Sequence, residues 1–150
     1  MNKQELLNEL NKYNKHSVFI YGNAGVGKTF LLKQFNRHIY TMLELFNDLQ
    51  SIINTQEYFD DIKYLKEIDF LILDDFGSTK SSEWRDEVIF EILNYRYENN
   101  KKTFISSNLN LGEISEKYDD RIASRIAEKY LIIELTGKDK RLEKKIKIKK

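Results

Sequence analysis

The sequence predicts a three-layer α/β/α fold, with a central, mostly parallel five-stranded sheet and helices on both faces. Three observations predict it. Apolar runs of strand length alternate with segments of helical spacing along the 150 residues, and strands that alternate with helices build parallel sheets covered on both sides. The runs at 17–21, 69–73 and 130–134 are rich in β-branched and aromatic residues, as strands buried on both faces are. A glycine-rich segment at 22–29 follows the first run and opens a helical one.

The elements follow in order. Residues 3–13 read as a short helix with Leu6, Leu7, Leu10 and Tyr13 on one side. This places a short N-terminal helix within 1–16, ahead of one domain at 17–137. Strand 1 spans 17–21 and its helix 27–36. Residues 38–41 form a second strand. Amphipathic helices follow at 43–54, using Leu45, Phe46, Leu49, Ile52 and Ile53, and at 57–66, using Phe59, Ile62 and Leu65. Strand 3 is 69–73. A polar turn at 77–83 leads into a long helix at 84–99, which Trp84 and Tyr95 are expected to dock on the sheet. Strand 4 is 103–106, helices follow at 111–117 and 119–128, and strand 5 is 130–134. Proline is absent, so Gly, Asn, Asp and Ser must mark the helix ends.

Composition narrows the function. The length fits one domain with a real core. Cysteine is absent, which excludes disulfides, cysteine-ligated zinc and thiol chemistry. The N-terminus lacks the apolar core of a signal peptide, and no run reaches membrane-spanning length. The expected location is the cytoplasm, with no membrane partner. A net charge of +1 conceals an asymmetry: residues 138–150 hold 8 Lys/Arg and 2 Asp/Glu, a basic tail of +6 on a body of −5. Such a tail suits polyanion contact, or is simply a solvated end. His16 and His38 have no partner at metal-ligand spacing.

Four motifs carry chemistry. Gly22-Asn23-Ala24-Gly25-Val26-Gly27-Lys28-Thr29 fits the phosphate-loop pattern G-x-x-x-x-G-K-[ST] at every fixed position. Strand, loop and helix aim backbone N–H groups at a polyphosphate. Lys28 would reach its β- and γ-phosphates and the Thr29 hydroxyl would ligate Mg²⁺. Phe70-Leu71-Ile72-Leu73-Asp74-Asp75 is an apolar strand ending in two carboxylates. Asp74 would hold Mg²⁺ and Asp75 would polarise an attacking water. Asn108, in Ser106-Ser107-Asn108 after strand 4, fits a γ-phosphate reader and equally a turn or cap asparagine. Arg121 and Arg125 share a helix face. Their spacing alone favours surface pairing with Asp119, Asp120 or Glu128. No guanine-reading motif appears, so ATP is the expected nucleotide.

In order along the chain stand 22–29, Ile72-Leu73-Asp74-Asp75-Phe76-Gly77, Glu83-Trp84, 92–99, Ser107-Asn108-Leu109 and Ser124-Arg125-Ile126. Together these motifs resemble the ATPase domain of bacterial and phage helicase loaders of the DnaC/DnaI type. That group is similar to transposition helper ATPases of the IstB type. The resemblance covers 17–141 and implies a P-loop NTPase of the AAA+/ASCE class. It implies that Asn108 is the sensor on strand 4 and that Arg125 is an arginine finger acting across a subunit interface. It also suggests that Arg141 contacts nucleotide or a neighbour. The implied function is an ATP-binding and ATP-hydrolysing helicase-loader-like protein in DNA replication, weak as a monomer. Its partners would be single-stranded DNA, a replicative helicase or loader, and further copies of itself. The alternatives are a transposition helper on duplex DNA and a non-hydrolysing adaptor that inserts into a loader oligomer. Family loaders carry an N-terminal helicase-gripping domain, and the roughly 16 residues before strand 1 are not expected to form one. Nor is a separate lid domain expected after strand 5.

Overall fold

Helices return the chain across the sheet after each apolar run, so successive strands enter it in the same direction. The computed structural model describes residues 3–12, 17–118, 120–137 and 145–149. Its elements are α1 (Lys3–Lys12), β1 (Ser17–Tyr21), α2 (Lys28–Leu32), β2 (Ile39–Thr41), α3 (Met42–Ser51), α4 (Gln56–Glu67), β3 (Phe70–Phe76), α5 (Glu83–Glu98), β4 (Lys102–Ser107), α6 (Leu111–Lys117), α7 (Asp120–Lys129), β5 (Tyr130–Thr136) and β6 (Lys145–Lys149). A single 3₁₀ turn, Lys33–Phe35, continues α2. Among the described residues, no helix is long and apolar enough to cross a membrane.

The strand order is β2-β3-β4-β1-β5-β6. The first five are parallel, as expected. The sixth runs antiparallel along β5 and lies within the segment read as a basic tail. The rest of that segment, including Arg141, falls outside the described residues, as do Tyr13, His16 and Asp119. Strand 3 also runs further than its apolar stretch, through Asp74, Asp75 and Phe76.

Alternation along the strands divides the core in two. Phe19, Leu71, Leu73, Ile105 and Ile132 face one layer, built from α3 to α7. Val18, Ile20, Ile72, Phe104, Leu131 and Ile133 face the other, which holds α2 and Leu10 of α1. Each fully buried Ile, Leu or Phe contributes about 1.5–3 kcal/mol. Side-chain caps set the helix starts in the absence of proline: Thr41, Thr55 and Ser82 accept from the N3 backbone N–H of α3, α4 and α5. Asn110 and Glu113 make a reciprocal capping box on α6.

The two aromatic residues expected to dock α5 meet neighbouring helices as well. The buried aliphatic residues Val88, Ile89, Ile92 and Leu93 seat α5 in the core. Trp84 reaches sideways, donating to the Tyr58 hydroxyl at 3.0 Å and meeting Phe46 at a ring separation of 6.0 Å. Tyr95 lies under the Lys66 ammonium of α4. Aliphatic side chains interdigitate with the sheet, while rings with polar partners settle at the layer's rim.

Candidate nucleotide-binding site

The phosphate loop is built onto the carboxyl ends of the strands. Tyr21 is in register with Ser107 of β4, and the next N–H, that of Gly22, donates to the Ser107 carbonyl at 3.1 Å. A Cβ at Gly22 would stand 2.1 Å from the Leu135 carbonyl oxygen, so the chain passes β5 too closely for any side chain. Gly27, at φ 100°, caps α2 in the left-handed region. Val26 is buried in the second core and anchors the loop. Lys28 is only 6% exposed. Its Nζ donates to the carbonyls of Gly22 at 2.6 Å and Asn23 at 2.8 Å, so the ammonium sits within the loop. Burial pulls this lysine below its ordinary range, while Asp75 and then Asp74 hold it partway up.

Asp74 meets the loop from β3. It is 3% exposed, and its two carboxylate oxygens accept from the Thr29 hydroxyl at 3.2 and 2.9 Å. The Ser106 hydroxyl donates to the same carboxylate. Asp75 is exposed beside it, with φ at 58°, in the left-handed region that few residues other than glycine adopt. Partial burial raises its pKa above the ordinary 3.8, the Asp74 charge adds to the rise, and Lys28 offsets it. A groove of about 340 Å³ lies over the loop and is lined by Ala24, Gly25, Gly27, Lys28, Thr29, Asp75 and Asn108. Lysine, threonine hydroxyl, carboxylates and amide thus converge on one end of the sheet, the end where open α/β sheets bind ligands.

A family model for the bacterial DnaA ATPase domain matches residues 4–133. The chain belongs to that family. It is therefore an AAA+ ATPase-family chain, similar to DNA-replication proteins. The replicative helicase loader DnaI of Bacillus subtilis (strain 168) is 28% identical, over 92% of this chain and 53% of that protein. A solved DnaI structure is 31% identical, with a TM-score of 0.70 over 81% of this chain and 73% of that one. A solved replication initiator DnaA, bound to AMPPCP and single-stranded DNA, shares the fold at 23% identity and a TM-score of 0.67, over 80% of this chain and 40% of that one. The chain spans about half the length of the curated relatives it matches.

Within this AAA+ fold, Arg125 stands apart from the groove. Its Nε donates to Asn94 Oδ1 on α5 at 2.5 Å, and its Nη1 donates to the Arg121 carbonyl at 3.2 Å. The guanidinium lies over the rings of Phe90, at 5.1 Å, and Tyr97, at 5.7 Å. Arg121 covers Phe90 at 3.9 Å. These aromatic and amide contacts on α5 hold Arg125 in this orientation. The groove also includes Phe30 and Lys33, which the motif reading passed over. Phe30 is left exposed on a helix whose other apolar residues, Leu31 and Leu32, are buried, a difference that only the fold reveals.

Proposed function

We propose that this chain binds and hydrolyses ATP with Mg²⁺, and acts in DNA replication as a helicase-loader-like ATPase. The observation that carries the reading is the convergence of Lys28, Thr29, Asp74, Asp75 and Asn108 on the loop groove. The DnaI likeness supports the replication role. The DnaA bound to AMPPCP and single-stranded DNA supports the choice of ligands.

Lys28, already aimed into the loop, would turn from the Gly22 and Asn23 carbonyls to the phosphate oxygens. The loop's backbone N–H groups would hold the β-phosphate. The Thr29 hydroxyl and the Asp74 carboxylate are hard oxygen donors, a set that fits Mg²⁺. Held there, Mg²⁺ would supply positive charge to offset the negative charge of the phosphates. Asp75 would accept a hydrogen bond from the attacking water and orient it in line, and partial burial and the neighbouring Asp74 charge raise its pKa, which favours the base role. Asn108 would contact the γ-phosphate from the turn after β4. Arg125 would serve the site of a neighbouring copy, and single-stranded DNA and a helicase or loader would be the partners of that assembly.

The test is ATP turnover against protein concentration, with and without single-stranded DNA, for the wild type and Arg125→Ala. Turnover per molecule should rise with concentration, and Arg125→Ala should lose about 10³-fold or more of it. Tight ATP binding with flat, negligible turnover would make the chain a non-hydrolysing adaptor instead. Equal turnover in Arg125→Ala would remove Arg125 from the mechanism.

A further inference from the structure

The ladder between β3 and β4 breaks at the two carboxylates. Leu73 is in register with Ile105, and Phe76 with Ser107, so Asp74 and Asp75 together oppose the single residue Ser106. Two residues facing one is a β-bulge, a device that re-aims side chains and leaves a backbone group unpaired. Here the extra residue is Asp75, held at φ 58°. The bulge turns Asp74 inward to Thr29 and leaves Asp75 exposed.

Ser106 is fully buried on β4 and bonds to both bulged residues. Its hydroxyl donates to Asp74 Oδ1. Its oxygen accepts from the Asp75 N–H at 3.1 Å, standing in for the ladder acceptor that the bulge removes. Ser107 continues the clamp. Its hydroxyl donates to the Phe76 carbonyl at 2.5 Å, and its Oγ accepts from the Leu109 N–H at 3.0 Å, one residue past Asn108.

We propose that Ser106 is a positioning residue for the carboxylate pair, and that its hydroxyl sets how tightly the Thr29–Asp74 site takes a divalent cation. The proposal rests on the nucleotide reading above. The Thr29 hydroxyl and Ser106 both bond to Asp74 in the structure described. A cation at Thr29 and Asp74 would draw the threonine oxygen to itself. Ser106 would then be the residue that keeps the carboxylate aimed. Removing an outer hydrogen bond of this kind typically costs 10–100-fold in metal affinity or activity.

The experiment uses the whole chain and a fluorescent ATP analogue, titrated with Mg²⁺. Ser106→Ala should raise the Mg²⁺ concentration for half-maximal tightening by about 10–100-fold. Binding of the analogue in EDTA should stay within about twofold of wild type, since Lys28 and the loop are untouched. Ser106→Cys, which keeps the side chain's shape at slightly larger size and supplies only a weak donor, should shift in the same direction and covers the case where the alanine variant does not fold. Without nucleotide, the Asp75 amide should exchange its proton faster in either variant. A folded variant with wild-type Mg²⁺ dependence and wild-type Asp75 exchange would overturn the assignment of Ser106 alone. A wild type that shows no Mg²⁺-dependent tightening would remove the nucleotide reading, and this assignment with it.

Discussion

Buried charge occurs at both ends of the sheet, and its two forms are put to different use. At the amino ends of the strands, Arg96 of α5 is 0% exposed. Its Nε donates to the Thr103 hydroxyl at 2.9 Å, and its Nη atoms donate to the carbonyls of Leu65, Lys66, Ile68 and Lys102. Burial brings the guanidinium pKa down to about 10, so it keeps its charge at neutral pH. Its donors are spent on the end of α4 with its C-cap Ile68 and on the start of β4, and a cation beside helix-terminal carbonyls is favourably placed. At the carboxyl ends, Lys28 and Asp74 are also buried, but apart from the Ser106 bond to Asp74 their partners are the phosphate loop's carbonyls and a threonine hydroxyl. Those bonds can be exchanged for bonds to a ligand. Charge whose hydrogen bonds are all taken up by fixed backbone holds a fold together; charge whose partners can be traded is available for chemistry.

The sharpest break of this contrast is Arg96→Met. It should cost about 3–5 kcal/mol of stability, the usual penalty for disrupting a buried charge network, and it removes the donor to carbonyls of α4, its C-cap Ile68 and β4. Chemical denaturation measures it, and nucleotide affinity of the folded fraction should be unchanged. Lys28→Ala should do the reverse: ATP affinity or turnover falls on the order of 10²-fold, while the unfolding free energy without nucleotide moves by about 1 kcal/mol or less.

The smallest effect is confined to alkali. Tyr130 is fully buried near Arg96, with hydrogen bonds to Thr103 and Ser17, and burial pushes its pKa up to about 12 from the ordinary 10.0. The folded state therefore holds this proton where the unfolded chain releases it. The associated stability is intact below pH 10 and is lost as pH rises from 10 through 12. Tyr130→Phe should flatten that loss in unfolding measurements across the same window and leave neutral-pH ATP binding alone.

Much of this contrast was readable in the residues, and unevenly. The phosphate loop, the five parallel strands and the paired carboxylates were legible because apolar runs and glycine spacing are local signals. The bulge at Asp74 and Asp75 was not, since the apolar run predicts a strand ending at Leu73 and nothing local shows that both acids stand opposite Ser106. Arg96 was equally hidden: one arginine among the charged positions of a helix gives no sign that its partners lie on α4 and β4. Ser106 appeared in a motif for the sake of Asn108, and its own bonds depend on a register that only the folded sheet sets. β6 did leave a signal, because Lys145-Ile146-Lys147-Ile148-Lys149 alternates with period two, but the net charge of the segment favoured a tail.

The central claim is that exchangeable charge at the carboxyl ends of the strands makes the nucleotide site. Amide chemical-shift mapping with AMPPCP and Mg²⁺ tests it most directly. The account predicts shifts at 22–30, 74–77 and 106–108, with Ser17, Arg96, Lys102 and Tyr130 unmoved. Shifts centred on Arg96 and Tyr130, or none at saturating analogue, would contradict it.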